Sequence, residues 1–128
     1  MQPQTAIQQV ALAYAATLFP GRVEIHRHAL SVDGRRVLVR VASVHQSRHI
    51  IRRAGREYHY RYPMFSWNLH SHNRLVEAPD HWVLIGVSNG TMRTWLVPGN
   101  QLRAKTVALM VSRKGGRERA VLDRYRLA

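Results

Sequence analysis

Residues 22–44 read RVEIHRHALSVDGRRVLVRVASV, and their reading decides the fold. Apolar and polar side chains alternate with the period of an extended chain. Val23 and Ile25 fall on one face, with Glu24 and His26 on the other. After a break, Leu30 and Val32 continue the pattern. Asp33-Gly34 then supplies the two positive-φ residues of a tight hairpin turn. On the return strand, Val37, Val39 and Val41 point one way, and Leu38, Arg40 and Ala42 the other. A β-hairpin is therefore predicted, with its return strand over 36–44.

Working outward, residues 5–18 place Ile7, Val10, Ala11, Tyr14 and Leu18 at helical spacing, with Thr5 as N-cap and Pro20-Gly21 as the stop. The polar face of this helix carries Gln8 and Gln9 instead of charge, which points to burial or to a partner. Residues 46–62 are basic and aromatic and read as an irregular segment closed by Pro63, open to ordering on a ligand. A short apolar stretch over 64–70 follows, and then a polar loop over 68–80. Residues 81–87 form an apolar run predicted to be a buried strand, and Asn89-Gly90 turns it back into a strand over 92–97. Pro98-Gly99 breaks that strand, and one helical turn over 100–104 leads to a further strand over 106–112. Gly115-Gly116 is a hinge before a short basic helix over 117–127. The expectation is an α/β (α+β) fold: a single layered domain, 1–128, with a central mixed β-sheet built from hairpins and flanked by an N-terminal and a short C-terminal helix.

The composition fits one domain. The chain has 128 residues, 45% of them apolar, which is enough for a core. It lacks cysteine, so disulfides, thiolate metal sites and cysteine nucleophiles are excluded. No apolar run reaches the length of a membrane span, and Met1-Gln2-Pro3-Gln4 has no signal-peptide character. The expected setting is cytoplasmic, with no membrane partner. Against 7 acids stand 20 basic residues, 18 of them Arg, giving a net charge of +13. A GC-rich coding sequence would also favour Arg over Lys, but it would not produce the charge excess. Charge this dense calls for an anionic partner, and Arg binds phosphate bidentately and stacks on flat rings. Nucleic acid, DNA or RNA, is the partner expected.

The candidate binding side chains cluster in the basic-aromatic segment: Arg48, Arg52, Arg53, Arg56, Tyr58, Tyr60 and Arg61, with Trp67 just beyond. Cations serve phosphates, and aromatic rings serve exposed bases. Arg35, Arg36 and Arg40 on the hairpin join them, as do Arg113, Lys114 and Arg117 near the C-terminus. Two His-x-His pairs, His26 with His28 and His70 with His72, are the candidate metal ligands, because alternate residues of a strand share a face. No carboxylate lies beside either pair, and Arg27 repels a cation, so no metal site is assigned. The few acids show no spacing typical of a general acid/base pair.

The order of helix, strand, Asp-Gly hairpin and apolar strand resembles the PD-(D/E)XK restriction-endonuclease-like superfamily. The run Asp80-His81-Trp82-Val83-Leu84-Ile85-Gly86-Val87 and the later Thr94-Trp95-Leu96-Val97-Pro98 are similar to the back half of its small members. The resemblance spans residues 5–112 as a nuclease-like core and leaves 113–128 as a basic tail. It implies a metal-binding Asp near His28 and an acid-x-Lys motif on Leu38-Val39-Arg40. Here those positions read His, Leu and Arg, so the metal-holding carboxylates are missing. The expectation is a non-catalytic nucleic-acid-binding protein on a nuclease-like fold, accessory to a mobile-element, restriction or RNA-guided complex, with no cofactor. One alternative is a Mg²⁺- or Mn²⁺-dependent endonuclease with a rearranged site using Glu24, Asp33 or the histidines. Another is an interaction module for an acidic protein, docking or dimerising through the N-terminal helix. A homodimer paired along an edge strand is also open.

Overall fold

The computed structural model describes residues 3–27, 29–71, 74–75, 77–111 and 117–127. The first helix, α1 (Pro3–Ala16), precedes β1 (Val23–Ile25), β2 (Ala29–Val32) and β3 (Arg35–Ser43). A long hairpin follows, β4 (His45–Arg53) and β5 (Arg56–Asn68), and then the two-residue strands β6 (His70–Ser71) and β7 (Arg74–Leu75). Next come β8 (His81–Ser88), β9 (Thr91–Pro98), a 3-10 turn at Gly99–Gln101, β10 (Thr106–Met110) and α2 (Arg117–Arg124). This is a mixed α+β domain.

The main sheet has five strands in the order β1-β2-β3-β8-β9. β3 and β8 run parallel, with Val39 beside Val83, while the other neighbours are antiparallel. A separate antiparallel sheet has the order β10-β5-β4. Alternation along β3 sends its two faces into two cores. Val37 and Val39 meet Val83, Ile85 and the α1 residues Ala11, Leu12 and Ala15. Leu38 and Ala42 meet Trp82, Leu84, Trp95 and the β5 residues Phe65 and Trp67, with Leu122 of α2 in the same cluster. The layers are thus helix, five-stranded sheet, and then three-stranded sheet with α2. Close approach between the two sheets requires Gly86, since a Cβ there would lie 2.9 Å from the Phe65 ring.

The hairpin over 22–44 gains a strand, because β1 and β2 pair with each other, Glu24 opposite Ser31, making a three-strand meander with β3. The buried strand and its return also appear as expected. Four expectations need correction. The basic segment over 46–62 is regular ribbon, with Arg48 opposite Arg61 and Arg53 opposite Arg56. Pro63 does not end it: β5 runs on through Pro63, opposite Gln46, into the core. The strand over 106–112 belongs to the second sheet, paired with 64–68. The buried stripe of α1 is Ala11, Leu12 and Ala15, while Ile7 and Val10 stay exposed. Beyond α2, Leu96 donates its N–H to the Tyr125 carbonyl and Leu127 donates to the Thr94 carbonyl, so residues 125–127 bridge to the β9 edge in antiparallel fashion.

Among the described residues, three two-residue turns carry positive φ at both positions: Asp33-Gly34, Ala54-Gly55 and Asn89-Gly90. Asp and Asn tolerate that region through local hydrogen bonding, whereas Ala does not. Ala54→Asn is therefore expected to stabilise the β4–β5 turn by about 0.5–1 kcal/mol. Amide exchange at the turn-proximal pairs checks this: protection there should rise, and unchanged protection would show that the turn carries no strain.

Candidate functional site

Six cross-strand pairs, from Arg48 with Arg61 to Arg53 with Arg56, form the distal half of the β4–β5 hairpin. Nearly every side chain in it is exposed, Ile51 being half-buried. At the strand rise per residue, the ribbon reaches about 20 Å. Neither face is covered by an apolar layer, so it contributes little to folding, and an isolated two-stranded hairpin is marginal in water.

Register divides the ribbon into two faces. One carries Arg48, Ile50 and Arg52 opposite Arg61, His59 and Glu57. Here Arg52 lies 3.0 Å from Glu57, and His59 lies 3.4 Å from the same carboxylate. These are exposed pairs, each worth about 0–1 kcal/mol. The other face carries His49, Ile51 and Arg53 opposite Tyr60, Tyr58 and Arg56, with Tyr62 next in line. The His49 and Tyr62 rings are 6.4 Å apart, as diagonal neighbours on one face should be. This face has no carboxylate. Tyr58 and Tyr60 are 42% and 48% exposed, which leaves their rings open to a ligand.

The remaining candidates lie apart from the ribbon. Trp67, expected to stack on a base, is 1% exposed and donates its indole N–H to the Ile85 carbonyl at 2.9 Å. It is a core residue, because β5 passes between the sheets at that point. Leu38 is likewise buried, against Trp82. Arg40 is half-buried beside it, its guanidinium carbon 5.3 Å from the centre of the Trp82 ring. Its Nε donates to the Asn68 carbonyl at 3.0 Å and its Nη1 to the Val39 carbonyl at 3.1 Å. Burial, and secondarily the charge of Arg36, lowers its pKa below the ordinary guanidinium value. Arg40 thus ties β3 to the end of β5. Arg35 is exposed beside the turn, and Arg36 donates through Nη1 to the Glu77 carbonyl at 3.0 Å, while the Asp80 carboxylate accepts its backbone N–H at 2.8 Å.

Among the described residues, the acids do not assemble. Glu24 shares a face with Arg36 and Arg40 but sits on the edge strand β1, 3.5 Å from Arg22. Its row in the sheet is that of Arg36, two strands across and four residues along from Arg40, a separation of roughly 16 Å. The Asp33 carboxylate accepts the Arg22 N–H at 3.0 Å and closes the meander. Among the described residues, no group of three or more His, Asp or Glu stands close enough to hold a metal ion. His26 is exposed at the β1–β2 turn, and His70 contacts the Lys105 carbonyl through Nδ1 at 3.1 Å. His28 and His72, the second members of the two pairs, lie outside the described residues, as do Arg113 and Lys114. Arg117 opens α2, but its side chain is not among those described.

A second surface lies across the main sheet. α1 covers β1–β3 and leaves the β8–β9 end of that face partly open, forming an apolar groove of about 490 Å³. Ile7, Val10 and Tyr14 line one side of it, and Val41, Ile85 and Met92 the other. No residue before Arg22 is charged, so the +13 charge of the chain is displaced from this groove to the rest of the surface. The described residues include no helix long and apolar enough to cross a membrane. No family model, no curated protein and no solved structure matches the chain.

Proposed function

We propose that this protein binds nucleic acid and that the β4–β5 ribbon is its binding element. The observation that carries the reading is an exposed ribbon about 20 Å long with five arginines and a single acid, on which no core depends. Clustered arginines repel one another, and a phosphate backbone relieves that repulsion while releasing its counterions. The body is a nuclease-like scaffold without metal-holding carboxylates. In support, the main sheet keeps the order of helix, hairpin and buried strand on which that resemblance rests. The position where an acid would hold metal is a buried leucine, Leu38, and Glu24 and Asp33 are engaged elsewhere. Binding without cleavage suits an accessory subunit of a larger protein–nucleic acid complex of the mobile-element, restriction or RNA-guided kind.

The test is a titration of labelled duplex DNA, single-stranded DNA and RNA at several salt concentrations with Mg²⁺ or Mn²⁺ present, following both mobility and strand integrity. Salt-sensitive shifts with intact strands are expected. Cleavage abolished by a chelator would overturn the non-catalytic part of the reading. Absence of binding to all three at low salt would overturn the whole.

A further inference from the structure

Within the nucleic-acid reading above, on which this inference rests, we infer that the ligand is single-stranded and that its bases lie on the tyrosine face of the ribbon. Tyr58, Tyr60 and Tyr62 occupy alternate positions of β5 and therefore project from one face. Successive Cα positions on that face are about 6.8 Å apart along the strand, twice the rise per residue. That interval is two aromatic thicknesses, so a base plane fits between one tyrosine and the next. His49 lies directly opposite Tyr60, and Ile51 opposite Tyr58, which widens the platform with further flat and apolar surface. Arg53 and Arg56 flank its outer end, within reach of the phosphates on either side of a stacked base.

The chemistry of this face distinguishes strands from duplexes. A two-stranded ribbon fits the major groove, but reading base edges there takes Arg, Lys, Asn or Gln in bidentate contact. Inward of the tip arginines, the platform offers rings and an isoleucine, with Ser47 its small polar neighbour. Rings need the faces of bases, and a duplex hides those faces in its own stack. Glu57 is confined to the opposite face, where Arg52 and His59 hold it, so no carboxylate repels a backbone laid along the tyrosines. Tyr58 and Tyr60, exposed and consecutive on this face, also have no packing role to account for them, because the outer half of the ribbon has no core, whereas half-buried Tyr62 packs beside His49 at its base.

The experiment measures fluorescence anisotropy of labelled dT20, U20 and a 20-base-pair duplex at one fixed salt concentration. The intact chain is compared with the double variant Tyr58→Val/Tyr60→Val, since valine keeps the strand preference and removes the flat surface. The intact protein is expected to bind a single strand at least 10-fold more tightly than the duplex. A stacked base contributes roughly 5- to 150-fold in affinity per ring. The double variant is therefore expected to lose more than 10-fold on the preferred single strand, with unchanged duplex affinity and an unchanged melting temperature. Preference for dT20 or for U20 identifies which of the two strands is favoured, and either supports the inference. Equal affinity for strand and duplex, or a double variant that binds dT20 and U20 as the parent does, overturns it while the nucleic-acid reading stands. Failure of all three probes at low salt overturns that reading instead.

Discussion

Replacing Arg48, Arg52, Arg53, Arg56 and Arg61 together by glutamine is expected to lower affinity for a single-stranded oligonucleotide by up to about 3,000-fold at 0.1 M salt. The figure follows from counterion release, in which each neutralised phosphate contributes about 0.7 to the slope of log affinity against log salt on a single strand. Five contacts contribute at most about 3.5 to that slope, of which Arg53 and Arg56 beside the tyrosines supply about 1.4 and the three arginines of the opposite face the rest. The parent should thus lose up to about 100-fold in affinity between 50 and 200 mM salt through these residues, and the variant should lose almost none of that portion. Stability should scarcely change, because the five side chains are exposed and the one ion pair among them, Arg52 with Glu57, is a surface pair. Salt-series titrations and a melting curve on the same preparations check both halves. A variant that keeps the parental slope would show that the phosphates are held elsewhere on the molecule.

Trp67→Ala is expected to have the largest effect on folding. The Trp67 indole is fully enclosed, with its ring centre 5.3 Å from that of Trp95 and 5.6 Å from that of Phe65. Truncating such a residue leaves a cavity that costs about 3–5 kcal/mol. It also leaves the Ile85 carbonyl without its indole donor, a further loss of about 1 kcal/mol. Natural domains have about 5–15 kcal/mol in hand, so the variant should sit at the edge of unfolding. Denaturant titration should place its midpoint far below the parental one or find no cooperative transition. A stable Trp67→Ala variant that has lost nucleic-acid binding would instead put that ring at the interface.

Trp67 also marks where sequence reading reaches its limit. The Asp33-Gly34 hairpin and the β8–β9 hairpin were legible because each has a buried face, whereas the separation of β1 from β2 shows in the sequence only as a break. Val37, Val39 and Val41 on one face, with Leu38 and Ala42 on the other, are the imprint of a core on each side, and Asp33-Gly34 and Asn89-Gly90 announce their turns. The β4–β5 ribbon has no buried face along its outer half, so it prints no such pattern, and its turn uses Ala54 where Asn or Asp would give the signal. Pro63 then reads as a terminus, although a strand tolerates it there. The same absence of pattern hides which aromatics are free: Tyr58, Tyr60 and Trp67 look alike in sequence, and only the point at which β5 enters between the sheets separates them. The composition of the site was legible throughout, since five arginines against one acid need no fold to be counted. What could not be read was the division of those residues between two faces, which depends on a register fixed by the turn.

The route of the chain into the ribbon has a mechanical consequence. β3, at the centre of the main sheet, ends at Ser43, and β4 begins at His45, with Val44 alone between them. Val44 is pinned by its N–H to the Val87 carbonyl at 2.9 Å. The other strand of the ribbon continues past Pro63 to Phe65 and Trp67 at the heart of the molecule. Such an arm has no slack at its base and behaves as a lever with its fulcrum in the hydrophobic interior. A load on the tip becomes torque on the central strand and on the tryptophan cluster, so engagement at the far end should be felt as altered rigidity in the body about 20 Å away.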